Sequence, residues 1–212
     1  MDRLEIVVNR VLKIMDRLRK YGIIAILCIS LMIPLFFGIY AEYLYVQKLN
    51  MTIIIALLIG LVFFLLLNKL IVLFGIGEES LESFKNHEVI NAFISGRDKA
   101  LILIFFPLIM ISEELIFRFY LIGYLLNEIR LEVISAILVS SIIFSIYHVY
   151  MWFKYKNKRV FIIYFGSSFL LGLFNGFILL TLGVITCVLI HYFLVIELYY
   201  SIFKRNFKKN RS

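Results

Sequence analysis

Apolar residues run along this chain in long blocks, broken by short polar stretches, rather than alternating or recurring at one position in three or four. The blocks predict six helices at roughly 21–41, 51–74, 101–126, 131–150, 160–180 and 183–203. Each is close to the ~20 residues that carry a helix across a hydrocarbon core of ~30 Å. Alternation with a period of two is absent, which argues against a membrane β-barrel. The expected fold is all-α: a polytopic membrane protein with about six transmembrane helices. Ahead of them, Leu4, Val7, Val8, Val11, Leu12, Met15 and Leu18 share one helical face. Arg3, Arg10, Lys13, Arg17 and Arg19 fill much of the remainder, so Met1–Lys20 reads as an amphipathic helix on the inner membrane surface. Its long charged region, with no small-residue cleavage site after the first apolar block, does not resemble a signal peptide. The division is an inner-surface helix (1–20), two N-terminal spans with a cytoplasmic loop (21–100), a four-helix core (101–203) and a basic tail (204–212).

Composition agrees, at 63% hydrophobic residues with only two prolines, where soluble domains are about half apolar. The net charge of +8 could suggest nucleic acid, but its placement points elsewhere. With the N-terminus inside, eighteen of the 22 basic residues fall in inner segments, and only Lys48 and Arg130 in outer ones. That asymmetry is the positive-inside pattern. It predicts a multi-pass cell-membrane protein with both termini cytoplasmic, the lipid bilayer as partner and no nucleic acid. Cys28 and Cys187 lie in separate spans and form no disulfide or metal-binding pattern. His87, in the polar stretch Gly75–Lys99 with Glu78, Glu79, Glu82, Glu88 and Asp98, reads as a solvated surface residue. Gly172-Leu-Phe-Asn-Gly176, with Gly166 before it, is a small-residue pattern that lets helices approach closely.

Against this apolar background stands Ile111-Ser-Glu-Glu-Leu-Ile-Phe-Arg-Phe119. Ionisable groups inside a span cost ~2.5–3.5 kcal/mol each on insertion scales, which makes function the default expectation. Glu113 and Glu114 point about 100° apart on a helix. Glu114 precedes Arg118 by four residues, the better orientation for an ion pair. Glu113 is left without a charge partner in its own helix, and burial then favours its neutral form. A carboxyl group so placed suits general-base chemistry near neutral pH. Two more ionisable groups lie in later spans, His148 in Phe144-Ser-Ile-Tyr-His148 and His191 in Cys187-Val-Leu-Ile-His191. If the third helix began at Leu101, Glu113 would sit ~18 Å from the inner surface, too deep for His148. Proline favours a first helical turn, so a start near Pro107 brings Glu113 to ~9 Å and within reach.

Glu113-Glu114-Leu-Ile-Phe-Arg118 resembles the EExxxR signature of the CAAX-protease and bacteriocin-processing family of intramembrane glutamic endopeptidases. Phe144–His148 is similar to its FxxxH motif, and His191 to the histidine of its third motif. The resemblance covers roughly Leu101–Phe203. It implies that Glu113 and His148 hold and deprotonate the attacking water. His191 then donates to the oxyanion, while Glu114 and Arg118 orient the site. The family's third motif is commonly HxxxN, whereas His191-Tyr-Phe-Leu-Val195 ends in valine. Losing an oxyanion donor typically costs 10²–10³ in turnover, ~2.7–4 kcal/mol. Asn175, at a similar depth, is a candidate substitute donor; the alternative is that it bonds a neighbouring helix. Glu197, six residues past His191, reads as an inner-interface residue.

The expected activity is membrane-embedded endopeptidase action on membrane-tethered or prenylated peptides, without a cofactor. One alternative is a zinc protease using Glu113, His148 and His191, since two His and a carboxylate are a catalytic zinc set, although no HExxH helix is present. Another is a non-catalytic immunity or scaffold protein, for which Val195 is the best support. A proton-coupled transporter is less favoured, because no inverted repeat is evident.

Overall fold

In hydrocarbon, backbone N–H and C=O groups must be satisfied within their own segment, and the apolar blocks of this chain do so as helices. A computed structural model describes residues 3–77, 81, 84, 85, 87–95 and 104–206, with the backbone alone for most of 3–18. Glu78, Glu79, Glu82, Asp98, residues 101–103 and residues 207–212 lie outside the described residues, as do the side chains that would form the amphipathic face of 3–7. No strand occurs among the described residues.

The first helix, α1 (Arg3–Phe36), is one run of 34 residues. At 1.5 Å per residue it is about 51 Å long, well beyond a ~30 Å hydrocarbon core. The expected surface helix and the first span are therefore a single rod. It stops short of residue 41 because Pro34 enters its last turn and the chain reverses through Gly38 (φ +77°) and Tyr40 (φ 56°). Helix α2 (Met51–Leu70) starts at Asn50, whose side chain accepts the Ile53 N–H at 2.9 Å. It runs on through a π-turn, Ile71–Gly75. After the short α3 (Glu88–Ser95), α4 (Phe106–Glu113) passes directly into a nine-residue π-helix, Glu114–Ile122, and then α5 (Gly123–Asn127). Helices α6 (Val133–Tyr147), α7 (Tyr150–Tyr155) and α8 (Lys158–Asn206) complete the bundle.

The 49 residues of α8 are two helices joined at Gly183, where φ is 79° and ψ 169°. Pairing of Asn175 with Cys187 and of Tyr164 with Tyr199 shows that the halves, 158–182 and 184–206, fold back on each other. Glycine is required at the break. Its φ is one that other residues rarely adopt, and a Cβ there would lie 2.6 Å from the Leu44 carbonyl oxygen. The Thr181 carbonyl accepts instead from the N–H groups of Gln47 and Lys48, at 2.9 and 3.0 Å.

Among the described residues, four helical stretches rather than the expected six or so are long and apolar enough to cross a membrane: Arg19–Phe36, Met51–Gly75, Val133–Tyr155 and Lys158–Asn206. The protein is an all-helical membrane protein. The first half of α8 packs closely on α6, as the small-residue pattern predicts. A Cβ on Gly172 would lie 2.8 Å from that of Ser141, and one on Gly176 would lie 2.7 Å from an Ile137 methyl. Gly166 faces open space. Helix α1 docks through Cys28, whose thiol meets the Leu108 carbonyl at 3.2 Å, and through Tyr21, stacked on Phe105 with ring centroids 4.4 Å apart. Both Cys28 and Cys187 are buried and free. One apolar cluster gathers around Phe119, Ile122, Ile178 and Cys187. A second gathers at the lysine-bearing end around Phe84, Ile90, Phe106 and Ile202. Members of both line the cavity that holds the polar groups.

Candidate active site

The Glu-Glu-x-x-x-Arg stretch does not continue α4 as an ordinary helix. From Glu114 the backbone widens into the π form, an irregularity that recurs at functional sites. Ser140 on α6 supports it by donating to the Phe117 carbonyl at 2.6 Å. Across this turn Arg118 Nε lies 3.3 Å from Glu114 Oε2, with both side chains fully buried. The guanidinium carbon sits 3.8 Å from the centre of the Phe144 ring, a desolvated cation–π contact. Nη1 and Nη2 of Arg118 have no hydrogen-bond partner among the described residues.

His191, on the second half of α8, joins the two acids. Its Nδ1 is 2.7 Å from Glu114 Oε1, and its Nε2 is 3.8 Å from Glu113 Oε2. Glu114 is thus shared among Arg118, His191 and the Asn175 amide and does not line the cavity. Glu113 lines the cavity, and its Oε2 has no hydrogen-bond partner among the described residues. His148 caps α6, and its Nδ1 lies 2.8 Å from the Phe144 carbonyl. That carbonyl can only accept, so Nδ1 carries a proton and Nε2 of the neutral ring is left as an acceptor. Phe144 organises the site from several sides. Its face holds Arg118, its carbonyl fixes His148, and its ring meets those of His148 and His191 edge-on at 4.7 and 5.9 Å.

Glu113, His148 and His191 line one cavity of about 430 Å³. Pro107 stands in the first turn of α4, but Ile104 and Phe105 ahead of it already have helical backbone. The approach of the acid to the later spans therefore comes from the π-helix and the fold of α8 as well as from where α4 begins. Asn175 is fully buried, donates to the Cys187 carbonyl at 3.2 Å, and is not a cavity residue. Its amide holds the two halves of α8 together and also hydrogen-bonds the Glu114 carboxylate, so it is turned away from the cavity. Val195, where an amide was expected, does line the cavity. Glu197 is not a free interface residue, since it accepts from Asn68 Nδ2 at 2.6 Å and Ser201 Oγ at 2.7 Å. His87 is half-buried rather than free at the surface. Its ring stacks on Tyr199 at 4.4 Å and its Nε2 lies 3.0 Å from the Tyr199 hydroxyl.

Sequence reasoning missed Asn68, Tyr164 and Tyr199, all of which line the same cavity. The available signal was weak: polar tips on residues within apolar spans, each indistinguishable from an ordinary core or interfacial side chain. The candidate zinc set finds no support in the geometry. Among the described residues, no three His, Cys, Asp or Glu side chains converge closely enough to hold a metal ion.

Residues 97–196 match the family model described as type II CAAX prenyl endopeptidase Rce1-like. No curated protein and no solved structure gives a significant match to the chain. The matched segment contains the π-helix, the capping histidine of α6 and the hairpin of α8 that together build this site. Over residues 97–196 the chain is similar to the CAAX-protease family.

Proposed function

We propose that the protein is an intramembrane glutamate-dependent endopeptidase acting on membrane-tethered or lipid-modified peptides, with no metal. One observation carries this reading: a carboxylate oxygen with no hydrogen-bond partner among the described residues and two imidazoles share the wall of a cavity enclosed by apolar helices. Glu113 takes a proton from a water whose other hydrogen is held by the bare Nε2 of His148. The hydroxide oxygen bonds to the peptide carbonyl carbon, and the π electrons of the C=O bond move to oxygen. His191, oriented by Glu114 at 2.7 Å, donates from Nε2 to that oxyanion when its ring carries both protons. The C–N bond then breaks as the carbonyl reforms, and the nitrogen takes the proton held by Glu113. The products are a carboxylic acid and an amine.

The cavity walls suit a substrate that is part peptide and part hydrocarbon. Leu27, Phe64, Phe106 and Leu171 supply apolar surface, while Lys20 and Lys154 mark the basic end. That end faces the cytoplasm if the charge asymmetry sets the orientation. A tethered peptide would enter there or from the bilayer.

The test is cleavage of membrane-tethered peptides in proteoliposomes by wild type and Glu113→Gln. Glutamine keeps the shape and removes the base, so turnover should fall about 10²–10⁴-fold. A folded Glu113→Gln variant with unchanged turnover refutes the mechanism. A scaffold role, which the valine at 195 favours, is supported only if wild type itself cleaves nothing while its biological effect survives the substitution.

A further inference from the structure

A chain of hydrogen bonds crosses the basic end of the cavity, and its direction can be read atom by atom. The Val89 N–H donates to His87 Nδ1 at 3.3 Å, so that nitrogen is an acceptor. His87 is neutral near pH 7: burial, reinforced by the positive charge of Lys154, pushes it down to about 3. In a neutral ring whose Nδ1 accepts, the proton sits on Nε2. It therefore donates to the Tyr199 hydroxyl oxygen, 3.0 Å away. Tyr199 in turn gives its hydroxyl hydrogen to the oxygen of Tyr164, at 2.6 Å. Each hydroxyl has one hydrogen to give, so the relay ends with the hydrogen of Tyr164 uncommitted. No second acceptor for it appears among the described residues, and Tyr164 lines the cavity.

Tyr164 also stands beside the water-activating centre. Its ring lies nearly parallel to that of His148, at 17° with centroids 6.4 Å apart. A hydroxyl that already accepts a hydrogen bond is a stronger donor, because successive bonds polarise one another. The position where a second oxyanion donor would be expected, Val195, has none to offer.

We propose that Tyr164 is a further catalytic residue: its hydroxyl, oriented by His87 through Tyr199, donates to the developing oxyanion of the substrate carbonyl beside His148. This rests on the peptidase reading above. His87 and Tyr199 act through Tyr164 and are positioning residues. No bond to Tyr164 forms or breaks, and its proton stays on the phenol throughout.

The experiment uses the full chain in proteoliposomes with a membrane-tethered peptide. Tyr164→Phe should lower kcat about 10²-fold, the usual loss for one oxyanion donor, with KM nearly constant. Tyr199→Phe should lower it less, and the double variant should be no slower than Tyr164→Phe alone. Adding Val195→Asn to Tyr164→Phe should recover at least part of the lost kcat by placing an amide donor on the same cavity wall. Should Tyr164→Phe fail to fold, 3,5-difluorotyrosine at 164 keeps the shape and acidifies the phenol. The alkaline limb of kcat against pH should then move to lower pH, because a phenolate cannot donate. Wild-type kcat in Tyr164→Phe, or an unmoved alkaline limb, overturns the assignment while leaving the Glu113 mechanism standing. Absence of Glu113-dependent cleavage in wild type overturns both.

Discussion

Replacing Arg118 by methionine isolates the energetics on which the site is built. The 3.3 Å separation between Arg118 Nε and Glu114 Oε2 gives an attraction of about 5 kcal/mol at an effective dielectric of 20. The stacking of Arg118 on Phe144 at 3.8 Å adds about 2 kcal/mol. Against this stands desolvation, several kcal/mol for each buried ion, aggravated by the Nη atoms of Arg118, which lack hydrogen-bond partners among the described residues. The two sides nearly cancel, so the intact pair adds little net stability. Breaking it is different, because Arg118→Met leaves the buried Glu114 carboxylate with only His191 and the Asn175 amide for compensation. That should cost about 3–5 kcal/mol. Glu114→Leu combined with Arg118→Met removes both charges, fills similar volume, and should return stability to within about 1–2 kcal/mol of wild type.

Equilibrium unfolding of the four proteins in mixed micelles completes a double-mutant cycle. Peptide cleavage supplies a second axis, since the double variant leaves His191 Nδ1 without its carboxylate. The stable double variant should therefore be catalytically poor, with kcat down by at least 10²-fold, as when a general base loses its orienting acid. Additive destabilisation, with the double variant as unstable as the sum of the singles, would show that the two groups do not act as a pair. Full activity in the double variant would show that Glu114 does not orient His191.

Three further outcomes follow from particular contacts. Gly183→Ala combines an unfavourable positive φ with a Cβ placed 2.6 Å from a backbone oxygen and should cost about 2–4 kcal/mol; Gly166→Ala, which meets nothing within 4 Å, should be neutral or stabilising by thermal unfolding. Asn68→Leu removes one of the two donors to Glu197 and should lose about 1–3 kcal/mol, with little loss on adding Glu197→Gln to it. The corner at His87 and Glu88 should loosen in acid. His87 is held at about 3 by burial and by Lys154, so the folded state binds fewer protons than the unfolded one between pH ~6.5 and 3. Its contribution is complete above ~6.5 and declines as pH falls through that window. For Glu88 burial opposes ionisation, but hydrogen bonds from Lys20 and Tyr21 outweigh it and hold the carboxyl below its usual range. Its contribution is complete above ~4.5 and is lost as pH falls toward the lowered value. Protection factors of residues 87–95, taken against the intrinsic exchange rate at each pH, should fall in both steps, and His87→Phe should remove the upper one alone; protection factors constant from pH 7 to 4 would contradict this.

The sequence made the all-helical membrane character legible, though not the number of spans, because that signal is additive: twenty apolar residues outweigh any single exception. It also made the Glu114–Arg118 pair legible, since both groups ride on one helical segment and the four-residue spacing suffices. Asn175 shows where that reasoning stops. Depth along a helix placed it level with His191, but depth says nothing of which way a side chain points, and its amide turns into the hairpin seam. His87 failed for a related reason. A histidine in a polar stretch reads as solvated unless one knows that Tyr199, 112 residues away, will lie against it. The continuous α1 was hidden because composition changes at Tyr21 while backbone conformation does not.

The π-helix is the element through which these parts depend on one another. Within the π-helix, Glu114–Ile122, the Phe117 carbonyl accepts from the Ser140 hydroxyl of α6. The same α6 carries Phe144, one turn further on, and ends at His148. The Ser140–Phe117 bond ties the third span to α6 in one register, and that register places the Phe144 ring under Arg118 and the His148 ring at the cavity. The first half of α8 then fixes the remaining distance, because Gly172 and Gly176 bring it against Ser141 and Ile137 on α6, and the fold at Gly183 returns the chain so that His191 arrives beside both acids. An active site whose acid, base-orienting imidazole and oxyanion donor come from three segments can be held to hydrogen-bonding tolerance only if such packing contacts are rigid. Two glycines, one serine and a strained turn, none of them touching substrate, supply that rigidity.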